Sequence, residues 1–151
     1  MKKIAAFAIV GFCTLVPASL RAQTPEQDVL AVITRFFDGM RARDTAMIAS
    51  TLFGDVKLLT TFTNREGKAV ARSEAMTGFM EAVSKAPGKL DEKIISPEVR
   101  IEDNLATVWT RYELYVNEEY SHCGIDAFQL VKTDAGWRIA TIADTRKKSC
   151  K

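Results

Sequence analysis

Apolar and polar residues alternate along this chain with two different periods, and the change of period divides it. From Val29 the apolar positions Val29, Ile33, Phe36, Phe37 and Met40 recur at helical spacing and form one wide face. Thr24-Pro25-Glu26-Gln27 supplies the start of that helix, with Thr at the N-cap, Pro in the first turn and Gln placed for a capping box. Arg41, Arg43 and Asp44 break the face, and Asp44 caps a second short helix, Thr45 to Leu52, closed by Gly54. Val56 to Thr63 is rich in β-branched and aromatic residues and predicts a strand with Val56, Leu58, Thr60 and Phe62 on one face. After an Asn64-Arg65-Glu66-Gly67 turn, Ser73 caps a third helix that turns Ala75, Met76, Phe79, Met80 and Val83 inward and stops at Pro87-Gly88.

Beyond Gly88 the period is two. Leu90 to Ile101, Leu105 to Val116, Tyr120 to Lys132 and Trp137 to Thr145 are separated by short turns at Asp103-Asn104, Asn117-Glu118-Glu119 and Asp134-Ala135-Gly136. Long strands joined by short turns form an antiparallel meander. Helices first and a meander after predict an α+β domain.

The first 22 residues stand outside this pattern. Lys2 and Lys3, the apolar run Ile4 to Val16 and the exit Pro17-Ala18-Ser19-Leu20-Arg21-Ala22 have the layout of a secretory signal peptide. The run is shorter than the roughly 20 apolar residues a spanning helix needs, so stable membrane insertion is not expected after its removal. The reading is therefore 1–22 signal peptide and 23–151 one domain, periplasmic or secreted. Removing Lys2, Lys3 and Arg21 from 21 basic and 19 acidic residues leaves 18 against 19, and the chain's net charge of +2 becomes −1. No electrostatic case for a nucleic-acid partner remains.

Cysteine usage fits export. Cys13 leaves with the signal, and Cys123 and Cys150 remain in a compartment where disulfides persist. Two Cys and one His in no ligand spacing fall short of a zinc site, so no metal is expected, and no motif calls for a cofactor.

The order of elements resembles the nuclear transport factor 2-like (NTF2-like, or SnoaL-like) superfamily. Ile33-Thr34-Arg35-Phe36-Phe37-Asp38-Gly39-Met40, Arg43-Asp44 at the second helix and Trp137-Arg138-Ile139 after an Asp-Ala-Gly turn carry the likeness. His122-Cys123-Gly124-Ile125-Asp126-Ala127-Phe128 and Ala143-Asp144-Thr145-Arg146 are similar to an exported bacterial group of putative lumazine-binding proteins. The resemblance implies a cone in which three helices from the N-terminal half pack on a strongly bent, mainly antiparallel sheet around a pocket. It implies fold better than function, since such cones host isomerases, dehydratases, hydrolases, cyclases, binders and transport factors.

Strand parity nominates the residues of that pocket. Asp126 shares the parity of Phe128 and Leu130, and across the hairpin that of Trp137, Ile139 and Thr141, so it points inward. Val108, Thr110, Tyr112, Leu114 and Val116 form the more apolar face of the preceding strand, which brings Tyr112 and Thr110 near Asp126. His122 shares that parity unless a bulge at Cys123-Gly124 moves it. Asp126 as general acid or base, Tyr112 as hydrogen-bond donor and His122 as a second titrating group make a catalytic set, and superfamily members use an acid with a tyrosine in this way. The plainer alternative is that Asp126 is hydrogen-bonded to Tyr112, Thr110 or His122 and satisfies a polar corner of the sheet. Phe36, Met40, Phe62, Phe79, Thr110, Phe128 and Trp137 are the expected ligand-binding positions.

Cys123 and Cys150 take outward parity, and the tail must bend to bridge them. Asp144-Thr145-Arg146 reads as a strand end with local hydrogen bonds and an ion pair. The outward stripe Trp109, Arg111, Glu113 and Tyr115 suits either a homodimer surface or an exposed sheet face. Three functions follow: a module binding a small apolar or aromatic molecule, a cofactor-independent isomerase, lyase or hydrolase using Asp126 and Tyr112, or a dimeric scaffold without a working pocket.

Overall fold

The computed structural model describes residues 23–150; the expected signal segment lies outside them. Helix α1 (Pro25–Ala42) starts as the sequence dictates. Thr24 N–H donates to Gln27 Oε1 (2.9 Å), Gln27 N–H donates to Thr24 Oγ1 (3.3 Å), and Arg43 closes the helix in the left-handed conformation, φ 57°. Asp44 caps α2 (Thr45–Ala49) through Met47 N–H at 2.9 Å.

α2 ends three residues earlier than the pattern predicts. The backbone of residues 51–53 is drawn off to Ile139, with Ile139 N–H to Thr51 O and Phe53 N–H to Ile139 O both 2.8 Å. A sheet hydrogen bond there outcompetes another helical turn.

The sheet has six strands in the order β2-β1-β6-β5-β4-β3, with β1 (Lys57–Thr63), β2 (Ala69–Ala75), β3 (Leu90–Glu102), β4 (Leu105–Val116), β5 (Glu119–Thr133) and β6 (Gly136–Thr145). All neighbours are antiparallel except β1 with β6. The meander is thus extended by a hairpin that returns to its last strand.

β2 departs from the expectation of a helix. Ser73 does not cap one but pairs with Leu59, and α3 (Met76–Lys85) begins at Met76 behind Ala75, which has no side-chain cap. The alanine-rich sequence of residues 69–75 hides the strand, because an exposed edge has no buried face to write.

Three irregularities bend the sheet. Ser96, at φ 52°, and Pro97 bulge out of β3 between Ile95 and Glu98. Ser121 is extra in β5 between the pairs Leu114–His122 and Tyr115–Tyr120. Ala140 is extra in β6 between Leu130–Ile139 and Gln129–Thr141. A bulge adds twist and reverses the facing of everything beyond it.

The concave face packs on α1 and α3. Val29, Ile33, Phe36, Phe37 and Met40 meet Val108, Phe128, Leu130, Ile139 and Ile142 in one buried cluster. Phe37 stands edge-on to Phe128 (6.0 Å), and Phe36 stacks on Phe79 (5.9 Å). These four rings also form the apolar side of a cavity between helices and sheet.

Cys123 and Cys150 are joined in a disulfide with their Cα atoms 6.1 Å apart. The tail bends back as the parity requires, and Cys123 and Lys147 exchange backbone hydrogen bonds of 3.0 and 2.8 Å.

Candidate functional site

The cavity between helices and sheet has a volume of about 230 Å³. Its walls are apolar on the helix side, where Phe36, Phe37, Met40, Phe79 and Val83 face in, and carry six polar groups on the sheet side: Glu92, Tyr112, His122, Asp126, Asp144 and Arg146. Among larger, more open depressions, one beside the β1–β2 hairpin shares His122 and Arg146 with the cavity, and one over Trp109 lies on the outer face of the sheet.

Sheet register explains how the polar groups meet. Asp126 on β5 lies between Thr110 on β4 and Asp144 on β6, and Asp144 in turn faces Thr60 on β1. A polar row therefore crosses the sheet, with Thr60 Oγ1 donating to Asp144 Oδ1 at 2.6 Å. One row along, Glu92, Leu114 and His122 are consecutive partners on β3, β4 and β5. Tyr112 sits between the rows opposite Gly124. Gly124 is required there, because a Cβ would overlap the Thr145 carbonyl and crowd the Tyr112 ring.

Asp126 is 3 % exposed, and its Oδ2 has no hydrogen-bond partner. Tyr112, Thr110 and His122, the partners expected of it, bond elsewhere, and the carboxyl beside it is that of Glu92. Tyr112 is committed. Its hydroxyl donates to Thr145 O at 2.9 Å and lies 3.5 Å from Asp144 Oδ2, so it lines the cavity with its ring. His122 faces the cavity, edge-on to Tyr112 at 5.8 Å, because the bulge falls at Ser121 and not at Cys123-Gly124. The Ser121 hydroxyl lies 3.0 Å from His122 Nδ1.

Of the expected ligand-binding positions, Phe36, Met40, Phe79 and Phe128 line the cavity and Phe62, Thr110 and Trp137 do not. Phe62 lines the groove beside the β1–β2 hairpin, under the Arg72 guanidinium. Thr110 is buried behind Asp126 and bonds the Ile95 and Arg111 carbonyls. Trp137 is buried in the core beyond the Ala140 bulge, with Lys132 over its ring.

Glu92 and Asp144 join the site without having been nominated by the sequence reading. Glu92 is legible in hindsight, since it alternates with Leu90 and Ile94 just as Asp126 does with Phe128. Asp144 is not, because the Ala140 bulge sends Thr141 outward and turns Ile142 and Asp144 in. The ion pair expected at Asp144-Thr145-Arg146 is replaced by the Thr60 bond, while Thr145 Oγ1 accepts from Ile125 N–H at 2.9 Å.

Crowding three acids into an apolar cavity shifts their ionisation. Burial, reinforced by the charge and hydrogen bonding of Glu92 and then by Asp144, raises Asp126 well above the ordinary aspartate range. Burial pushes Glu92 up to about 7, with Asp126 hydrogen bonding opposing. Burial also raises Asp144, against the Thr60 bond, the Arg146 charge and the Tyr112 bond. His122 is lowered to about 4 by burial and then by Arg146. Near neutral pH the site therefore holds a neutral imidazole, and a carboxyl pair, Asp126 with Glu92, that takes up or gives a proton. Among the described residues no three His, Cys, Asp or Glu side chains are spaced to hold a metal ion.

The family model described as putative lumazine-binding matches residues 24–143. No protein of curated description matches the chain. Among solved structures, an NTF2-like protein from Cytophaga hutchinsonii is 15% identical with TM-score 0.64, over 83% of this chain and 100% of its own. An NTF2-like superfamily protein from Salmonella enterica serovar Typhimurium is 13% identical with TM-score 0.63, over 83% and 93%. A protein of unknown function with a cystatin-like fold from Nostoc punctiforme is 11% identical with TM-score 0.64, over 82% and 92%. At these identities the likeness is one of fold.

Proposed function

Because the chain belongs to the putative lumazine-binding family, within the NTF2-like superfamily, we propose that its cavity binds one small, largely apolar or aromatic molecule. The observation that carries this is the buried, unpartnered Oδ2 of Asp126 at the wall of an otherwise apolar space. An orphaned buried acceptor costs about 1–3 kcal/mol, and a ligand donor would recover it. The cavity's 230 Å³ falls below the roughly 300–1,000 Å³ of drug-sized pockets, so the ligand is a compact one.

Proton exchange between Asp126 and Glu92 near neutral pH favours a second reading, a cofactor-independent isomerase, lyase or hydrolase. In it Glu92 takes the partner's role expected of Tyr112, whose hydroxyl is already bonded. The scaffold without a working pocket loses support from the cavity, while Trp109, 54 % exposed on the outer face, leaves self-association as a separate property. Export is part of the proposal, supported by the disulfide, which suits an oxidising compartment.

Native mass spectrometry of protein purified from its own periplasm or medium tests these readings together. A co-purifying molecule of small mass, unchanged by incubation, supports binding. Its conversion, abolished in Asp126→Asn, supports the enzyme. A mature chain starting at Gln23 supports export, and an uncleaved chain would overturn it.

A further inference from the structure

The cavity's charges do not balance. Glu92, Asp126 and Asp144 reach it from β3, β5 and β6, and the one cationic side chain in its lining is Arg146. Among the described residues no ion pair within 4.0 Å joins any of the three carboxyls to a base. Arg146 and His122 also line the groove beside the β1–β2 hairpin, with Thr61 and Arg65, which places Arg146 at the mouth. Thr60 and Tyr112 bond Asp144, but Asp126 Oδ2 has no donor, and the Asp126 carboxyl has only the acid Glu92 as its named polar partner. The elements packed over the acids, α1 and α3, contribute no charge to the lining, only Phe36, Phe37, Met40, Phe79, Ala82 and Val83. Buried carboxyls without a counter-ion either keep their protons or acquire a cation. The acids are not spaced as metal ligands, so a metal ion is not the natural counter-ion.

Resting on the reading of the cavity as a ligand site, we propose that its ligand carries a basic nitrogen, held as a cation against Asp126 and Glu92, with its apolar body among Phe36, Phe79 and Phe128. Two features favour this class. The ammonium supplies the donor that Asp126 Oδ2 lacks, and its charge offsets the excess of carboxyls over bases in the lining. An anionic ligand of the same shape meets carboxyl groups from three strands. A neutral donor satisfies Oδ2 but leaves the carboxyl pair without a counter-charge.

Binding of three probes of matched shape decides the matter: 2-phenylethylamine, 2-phenylethanol and 3-phenylpropionate, titrated calorimetrically into the full mature chain. The amine is expected to bind more tightly than the alcohol by about tenfold or more, equivalent to about 1.4 kcal/mol, and the carboxylate most weakly. Amine affinity should rise from mildly acid to mildly alkaline pH as the carboxyl pair loses its proton, because the amine stays charged throughout. Asp126→Asn and Glu92→Gln, each checked for an intact thermal transition, should remove the preference for the amine while leaving alcohol binding in place. Equal binding of alcohol and amine, or preference for the carboxylate, overturns the basic nitrogen and leaves the cavity as a ligand site. Failure of all three probes to bind the folded protein overturns both.

Discussion

Glu92 and Asp126 are each a single acid in an apolar alternation, yet their consequences differ from those of a surface acid. An unfolded Glu ionises near 4.5 whereas folded Glu92 does so near 7. Between those values the native state holds a proton that the unfolded chain has lost, so the Glu92 contribution falls as pH rises and is gone above about 7. His122 runs the other way. Its folded value of about 4, against 6.5, makes stability grow as pH rises through that interval. The opposing trends mask one another in the wild type, and a variant separates them. Glu92→Gln keeps the shape and removes one titration. Its stability relative to wild type should increase by on the order of 3 kcal/mol between acid and alkaline pH, since each pH unit between the two ionisation points contributes about 1.4 kcal/mol. Urea unfolding of both proteins across the range measures it. A difference that stays flat with pH would show that Glu92 ionises normally and that no proton is shared in the cavity.

At the scale of the element, two glycines with opposite surroundings give opposite expectations. Gly124 in β5 faces the Thr145 carbonyl and the Tyr112 ring, and backbone cannot move aside as a side-chain end can. Gly124→Ala should cost about 3 kcal/mol, the upper range for overpacking, and release the Tyr112 hydroxyl from Thr145. Gly78 in α3 meets only the flexible end of Glu74. Gly78→Ala should stabilise by about 0.5–1 kcal/mol, the helix-propensity difference. Thermal melts of the two variants check both signs. Elements also show where sequence reading succeeds. α1 is legible because its caps and its apolar stripe agree, and β5 because its alternation is uninterrupted from His122 to Leu130. β2 is hidden by having no buried face. Asp144 is hidden because one extra residue, Ala140, inverts the parity of β6, and an alanine gives no sign of bulging. Trp137 fits the same account: counted across the hairpin it shares the inward facing of Asp126, but it lies beyond the bulge, buried in the core.

At the scale of the molecule, the disulfide and the sheet do separate jobs. Cys123–Cys150 closes a separation of 27 residues, which on the chain-entropy account is worth about 3.5 kcal/mol. The segment it secures, 146–150, carries Arg146 to the cavity mouth and meets β5 at the Cys123–Lys147 bridge and through the Tyr120 hydroxyl, which donates to Lys148 O at 3.2 Å. Asp126, Asp144 and Thr60, in contrast, are held by ladder pairs of β5, β6 and β1, which the disulfide does not touch. Cys150→Ser should therefore lower stability by about 3.5 kcal/mol in denaturant unfolding while leaving 2-phenylethylamine bound, provided enough of the chain remains folded. Arg146 is tied to β1 by its own backbone N–H to Thr61 O (2.9 Å), so it is Arg146→Gln, not loss of the staple, that should tighten amine binding, since that guanidinium opposes a cation. Loss of binding in a folded Cys150→Ser protein would instead make the tail part of the binding wall. The staple would then be a condition for function and not only for stability.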